Sequence, residues 1–449
     1  MFPFITPSKT KENLQRNGEL DQFDFSTPAV SEDQQQKIHP VLSYGGCRKV
    51  LSEKDTFNVT YNEDMKLIMG GVGFFLGRDE TSVHNQDRSR IERAFYSENH
   101  NNFISEFKQF FLKTTQKLID SKKKTFDGKT YQINVVRDVC NLAPVHFALE
   151  YFGIPVKTPN SSCGIYTEQE VYYQFTVIFM FLFVNLDPAN SFKLSRTAKD
   201  IFGQMHDIMQ KIVESSVEAD ADSSECELSP QARRLMQSLM DQYEKNSDLA
   251  TWNLLGTISG GVTLMAQAAS QIVDFYLRPE NESHLKEIRK LVNNNDEESE
   301  NLILGYILEA LRFYPVVPAL LRRATTSTSI NDGSNGILDF KKDDTILVSI
   351  ASAHMDPSIF PEPKKIDPQR PTDLYLTFGY GFHECFGKSV NFVAIPAIVK
   401  TILKLENLQR VPGRAGQLNK IDEDGVYLYV DSQGTIFPFP TDMELQFTK

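Results

Sequence analysis

Residues 378–388 read Phe-Gly-Tyr-Gly-Phe-His-Glu-Cys-Phe-Gly-Lys, a single cysteine set among three glycines. Gly379, Gly381 and Gly387 permit backbone conformations closed to other residues, so the segment can wrap around one side chain and bring its own N–H groups close. That side chain is Cys385. A thiolate there, ahead of a helical run, gains from the positive end of the helix dipole and from aimed backbone donors. The arrangement suits a soft anionic ligand for iron. A buried cysteine in a glycine-rich turn is the plainer reading of a lone Cys, and the neighbouring residues decide between the two.

Other spacings could also carry chemistry. His84 and Arg88 lie four apart, hence on one helix face, and both can donate to a carboxylate. Glu309 and Arg312 lie three apart in an apolar helical run, Leu302 to Leu311, that ends at Pro315; alone, such a pair is a surface salt bridge worth little. Arg370 follows in Asp367-Pro-Gln-Arg-Pro371. Arg322 and Arg323 close a short strand signal, Val317 to Leu321. Ser259-Gly260-Gly261-Val262-Thr263 sits within Leu254 to Leu277, an apolar helical stretch that the glycines are expected to break near its start.

The elements that must position these groups follow from the chain in order. Pro7 to about Lys37 is polar and aperiodic, so residues 1–38 are expected to form a loosely held arm, with one folded domain over 39–449. Strand-like pieces occupy Lys49 to Met69, including Phe57 to Tyr61, before the turn at Gly70-Gly71-Val72-Gly73. A helical pattern covers Val83 to about Leu118, and Ile133 to Pro155 reads as one amphipathic helix stopped by Gly153 and Pro155. Val177 to Val184 is a core helix, too short for the ~20 residues of a membrane span. Acidic breaks fall at Glu214 to Pro230 and Asn293 to Glu300, and the tail beyond Asn407 reads as strands.

Composition narrows the function classes. A chain of 449 residues, 41% hydrophobic, can bury a large core. Its net charge of −12 argues against nucleic acid as partner, since phosphate binding needs a basic face. Five scattered cysteines without a C-x-x-C pair make no disulfide framework. Met1 to Thr6 lacks the basic flank of a leader. A cytoplasmic protein, free or peripheral to a membrane and without a transmembrane anchor, is the expectation.

Phenylalanine, glycine, glycine, histidine, cysteine and glycine in the cysteine loop fall at the spacing of the haem-binding loop of the cytochrome P450 family, which this sequence closely resembles. The resemblance implies a mainly helical prism with a small β lobe and haem b (iron protoporphyrin IX) as cofactor. It makes Cys385 the axial thiolate, which pushes electron density to iron and favours O–O cleavage. Phe378 packs beside the sulfur and Gly387 completes the loop. His84, Arg88, Arg322 and His383 meet the propionates, which need cationic partners when buried. Glu309-Ala-Leu-Arg312 matches the family's E-x-x-R motif and, with Arg370, locks the segment leading into the loop.

The distal helix departs from the family. Monooxygenases usually show Ala/Gly-Gly-x-Asp/Glu-Thr, whose acid and alcohol deliver protons to dioxygen at the iron. Here Val262 replaces the acid and Thr263 is kept. Ile133 to Pro155 and Asn185 to Phe192 resemble a narrower group, the C-terminal haem-thiolate domain of fungal linoleate diol synthases and psi-factor-producing oxygenases, which isomerises a fatty-acid hydroperoxide. Where those carry an Asn-Gln pair, Leu264 and Met265 stand, leaving Gln267 as the nearby amide. Val262, Leu264, Met265 and Ala266 would form an apolar surface for substrate. After the loop, Asn391 and Ala394 replace the usual alanine and glutamate, and Pro396 is expected to kink the helix. The large N-terminal dioxygenase domain of that group is expected to be absent.

The expected function is a monooxygenase acting on an apolar or fatty-acid-like small molecule, with Thr263 and Gln267 as catalytic candidates and a separate NADPH-dependent reductase as partner. The alternatives are a reductase-independent isomerase or dehydratase of a fatty-acid hydroperoxide, and a haem-binding protein without turnover.

Overall fold

The structure is a computed structural model that describes residues 38–96, 100–125, 127–157, 164–183, 188–217, 228–294, 296–423, 426–431, 434 and 436–448. Residues 1–37 of the expected N-terminal arm, Cys163, Cys226, most of the acidic loop after Glu214 and the start of Asn185 to Phe192 lie outside the described residues, while Ile38, expected as the end of the arm, opens the first strand.

In chain order the elements are β1 (Ile38–Val41), α1 (Tyr44–Ser52), β2 (Phe57–Val59), α2 (Asn62–Ile68), α3 (Thr81–Tyr96), α4 (His100–Lys122), β3 (Lys124–Thr125), β4 (Thr130–Asn134), α5 (Leu142–Phe152), α6 (Glu168–Phe183), α7 (Pro188–Ser215), α8 (Pro230–Gln242) and α9 (Ser247–Tyr276). There follow α10 (Glu282–Leu291), α11 (Glu297–Phe313), β5 (Ala319–Ala324), β6 (Thr328–Asn331), β7 (Ile337–Phe340), β8 (Thr345–Ser349), α12 (Ile350–Ala353), α13 (Lys388–Leu403), β9 (Glu406–Arg410), β10 (Lys420–Glu423), β11 (Val426–Val430), β12 (Ile436–Phe437) and β13 (Glu444–Thr448). The fold is therefore mainly helical with small sheets, as expected.

Two compact units divide the described residues, one from Thr60–His100 and Pro144–Thr263, the other from Gln36–Val59, Asn101–Ala143 and Leu264–Lys449. The first is helical. In it α9 approaches closely enough that a Cβ on Gly256 would sit 2.7 Å from the Phe74 ring. The lone tryptophan, Trp252, stacks 3.9 Å from the His206 ring of α7.

Every named strand belongs to the second unit. One sheet runs β1-β8-β5-β2, with β1 parallel to β8 and the other pairs antiparallel; another runs β3-β4-β13-β9. The first sheet packs on α1, whose entry is fixed twice. Ser43 accepts from Gly46 N (3.0 Å) as N-cap, and the Asp332 carboxylate accepts from Leu42 N (3.1 Å) and Ser43 N (2.8 Å). A core of Val41, Cys47, Leu51, Phe57, Ile346, Val348, Phe360 and Leu376 fills the space between them, with Phe378 and Phe392 packed against its edge. The hydrophobic core thus ends at the cysteine loop.

The structure corrects three readings of local pattern. Ile133 and Asn134 are not helical: β4 pairs with β13, Ile133 opposite Leu445, so a strand partner 312 residues away overrides the helical period. A π-turn over Val136–Cys140 then leads to α5, with Asn134 Oδ1 accepting from Arg137 N (3.0 Å). The strand-like stretch Lys49 to Met69 keeps only three strand residues, Phe57–Val59, between α1 and α2. Finally, α9 runs unbroken for 30 residues, roughly 45 Å at 1.5 Å per residue, straight through Gly260 and Gly261. Packing of its apolar length outweighs the ~1 kcal/mol that each glycine costs a helix.

Candidate active site

The cysteine loop is shaped by its own backbone. Gly379 and Gly381 adopt φ of +74° and +73°, a region that only glycine enters cheaply, and they turn the chain twice within three residues. Cys385 N donates to Phe378 O (2.9 Å), Glu384 N to Gly381 O (3.0 Å), and Lys388 N to Cys385 O (3.3 Å). A Cβ on Gly387 would make ordinary contact with Cys385 Sγ at 3.8 Å and press on the Asn391 amide Nδ2 at 3.2 Å. Asn391, one of the departures from the family pattern, donates from that Nδ2 to Gly387 O (2.9 Å) and ties α13 back to the loop. Pro396 is accommodated inside α13, which continues to Leu403.

Below the loop stands a fully buried charge cluster. Glu309 and Arg312 have no exposed side-chain surface and form a two-pronged pair, Nε–Oε1 and Nη2–Oε2 both 2.8 Å. Arg370 approaches the same carboxylate, Nε–Oε1 3.6 Å, and donates through Nη2 to Pro361 O (2.7 Å). Tyr375 OH (2.8 Å) and Asp367 N (2.9 Å) complete the donors to Glu309, while Arg312 also donates to the carbonyls of His354 (3.1 Å), Pro363 (2.6 Å) and Lys365 (3.0 Å). The three residues anticipated as a lock are thus brought together. Tyr375, Asp367 and His354 were not anticipated.

His354 extends this cluster to the loop. Its Nε2 accepts from Leu376 N (2.9 Å), two residues before Phe378, so that nitrogen must be unprotonated. Burial, helped by the Arg312 charge, pushes its pKa down to about 3. Helix α11 is held against this segment closely enough that a Cβ on Gly305 would fall 1.9 Å from Pro368 O.

Arg322 on β5 is 3% exposed and donates to Leu321 O (2.8 Å), yet among the described residues no carboxylate lies within ion-pair distance of it. Arg323, its neighbour, is exposed. His383 is buried, edge-on to Phe382 at 5.0 Å. Around the half-buried Cys385, the apolar side chains of Phe378, Phe386, Phe392 and Val393 are themselves only half-buried. A buried cation lacking an acid, and half-buried apolar side chains on either side of a half-buried thiol in the sequence, both in the second unit, are the chemistry that suits a flat apolar cofactor carrying carboxylates.

In the first unit, His84 is 1% exposed, with Nδ1 3.1 Å from Asn85 Oδ1, and its ring meets Phe75 edge-on at 5.5 Å. The Arg88 guanidinium lies 5.8 Å from the same ring and donates to Glu92 (2.9 Å). Phe75 therefore unites the two on one face of α3. His146 lies 2.6 Å from Glu168 Oε1.

On α9 the face left half-open is Thr257, Gly260, Gly261 and Leu264, which share one side of the helix; Val262, Thr263, Met265 and Ala266 are buried. Of the four residues expected to shape an apolar substrate surface, only Leu264 is on the open side. A Cβ on Gly260 would meet nothing within 4 Å, so the glycines do not break the helix but remove side chains from that face. Gln267 is 6% exposed, and its Oε1 has no protein partner among the described residues. Thr263 Oγ1 lies 3.2 Å from Thr176 Oγ1 of α6, and Thr176 donates to Tyr172 O (2.8 Å).

Comparison with known proteins decides the family. Residues 73–427 match the family described as Cytochrome P450. The chain belongs to the cytochrome P450 family. It is an oxidoreductase of P450 type, and its cofactor is iron protoporphyrin IX. It is 30% identical to a bifunctional dioxygenase (DOX)-epoxy alcohol synthase (EAS) of Fusarium oxysporum over 99% of this chain and 35% of that protein. It is 32% identical to psi-producing oxygenase A of Aspergillus fumigatus over 99% of this chain and 42% of that protein. The chain thus spans well under half the length of these curated relatives. The P450 fold is shared with substrate-free CYP109E1 from Bacillus megaterium, TM-score 0.66 at 15% identity, covering 99% of this chain and 98% of that one. Among the described residues no helix is long and apolar enough to cross a membrane.

Proposed function

We propose that this P450 rearranges a hydroperoxide of a polyunsaturated fatty acid without an external reductant. The carrying observation is that the family's acid–alcohol pair is not assembled on α9. Val262, at the position of the acid, is apolar and 0% exposed, and the Thr263 hydroxyl has Thr176 as its hydrogen-bond partner. Activation of dioxygen needs protons delivered in step with electrons, whereas isomerising a hydroperoxide keeps both oxygens and consumes neither. Similarity to an epoxy alcohol synthase supports the same reading.

Cys385 is proposed to supply the thiolate that would hold the haem, and the haem, when bound, would supply the iron chemistry for O–O cleavage. Arg322 and His383 are proposed as propionate partners, and the family resemblance proposes His84 and Arg88 for the same role. Phe378 and Gly387 are proposed to flank the sulfur as parts of the loop. Glu309, Arg312 and Arg370 hold the segment that carries the loop. Gln267 offers a buried amide oxygen suited to accept the hydroperoxide O–H and orient it.

The test is to incubate haem-loaded protein with a linoleic acid hydroperoxide labelled with oxygen-18 in both oxygens, with no reductant present. Turnover to an isomer that retains both labels is expected. Hydroxylation of the free fatty acid that depends on NADPH and a reductase, with no turnover of the hydroperoxide, would overturn the proposal in favour of a monooxygenase.

A further inference from the structure

The destination of one proton on α9 can be read from the hydrogen bonds around it. Thr263 is 0% exposed, and among the described residues Thr176 is the only hydrogen-bond partner of its hydroxyl, at 3.2 Å. Thr176, 7% exposed, has its own proton directed to the carbonyl of Tyr172, one turn back on α6, at 2.8 Å. A hydroxyl has one proton to give. With that of Thr176 donated to Tyr172, the Thr176 oxygen is the acceptor, and the order of donation is Thr263 to Thr176 to Tyr172.

We propose that Thr176 is a positioning residue that keeps the Thr263 proton out of the oxygen chemistry. The inference rests on the hydroperoxide reading and gives it a determinant of product outcome. A hydroperoxide ROOH can isomerise, with both oxygens kept in one molecule. It can instead pass one oxygen to a C–H bond of a second molecule, ROOH + R′H giving ROH + R′OH, a route in which the O–O bond breaks with a proton delivered to the departing RO oxygen. A threonine free to donate a hydrogen bond favours the second route. Thr176 removes that donor, and Val262 supplies no carboxylate to replace it.

The experiment uses three variants of the haem-loaded enzyme: Thr176→Val, Thr176→Ser and Thr176→Val with Thr263→Val. The first readout needs no substrate: the infrared C–O stretch of the reduced carbon monoxide complex, which falls when a distal hydroxyl donates to the ligand. Thr176→Val is expected to lower the frequency, Thr176→Ser to leave it at the parent value, and the double variant to restore it. The second readout is the ratio of alcohol to isomer from the hydroperoxide, expected to rise about fivefold in Thr176→Val, the factor that one hydrogen bond of about 1 kcal/mol carries. An unchanged frequency in Thr176→Val, or a shift that persists in the double variant, overturns the proposal. If the hydroperoxide is not turned over at all, the proposed function fails while the infrared measurement still decides the role of Thr176.

Discussion

Replacing Glu309 by glutamine tests what the buried charge cluster contributes. The substitution keeps shape and one acceptor oxygen but removes the charge, leaving Arg312 without a counter-ion at a site with no exposed surface. Removing one partner of a buried pair costs about 3–5 kcal/mol, because the other charge is stranded. Arg312 retains three carbonyl acceptors and Arg370 retains one, which puts Glu309→Gln near the lower end, at roughly 3 kcal/mol. Against a typical total of about 5–15 kcal/mol, that is a large fraction. The assay is urea denaturation followed by haem absorbance, with haem content per chain measured beforehand. Haem content should fall and the midpoint should drop, while turnover per bound haem stays within about twofold, a range of less than 0.5 kcal/mol. Adding Arg312→Met should recover at least 1 kcal/mol or so, since the stranded cation is then gone. A Glu309→Gln variant whose stability lies within about 0.5 kcal/mol of the parent would refute the argument that the cluster depends on its charge.

Further predictions follow from the same geometry. Cys385→Ala should abolish the long-wavelength absorption that thiolate ligation gives the reduced carbon monoxide complex; an unchanged spectrum would remove Cys385 from the iron. Gly381→Ala must hold a side chain at φ +73° with its Cβ 3.1 Å from Leu51 O and from Ser52 Cα, and should cost about 1–3 kcal/mol and haem affinity with it, read by thermal melts. His354 is neutral when folded and has a pKa lowered from 6.5 to about 3, so the unfolded chain binds the extra proton between those values. Its contribution is whole above about pH 6.5 and declines by up to about 1.4 kcal/mol per pH unit as pH falls toward 3; His354→Asn should flatten that part of a stability–pH profile. Gln267→Leu should slow isomerisation of a fatty-acid hydroperoxide by about tenfold or change its product ratio, on the scale of one buried hydrogen bond, and an unaltered rate and ratio would take Gln267 out of the reaction.

The cysteine loop and the Glu-x-x-Arg pair were legible because their function demands particular residue types a few positions apart. Arg370, 61 residues after Glu309, was legible only through family resemblance, and the structure brings its Nε 3.6 Å from Glu309 Oε1. Tyr375, Asp367 and His354 were not legible: a tyrosine hydroxyl, a backbone N–H and a histidine carbonyl join that cluster through tertiary folding, and no local spacing announces them. The same limit explains β4, where Ile133 and Asn134 sit in an apolar pattern that fits a helix until Leu445 and Glu444 pair with them. Glycine misled in the other direction. Gly260 and Gly261 signal a break by propensity, but a helix 30 residues long with a mostly buried surface absorbs the penalty and uses the missing side chains to open one face.

The stack of Trp252 on His206 places the chain's sole indole in the first unit, while the haem-thiolate ligand proposed at Cys385 belongs to the second. Nature has thereby furnished two independent optical reporters, emission at one and visible absorption at the other. Followed together through a single melt, coincident curves would mean that the halves come apart as one, and a lag between them would give the order in which they yield.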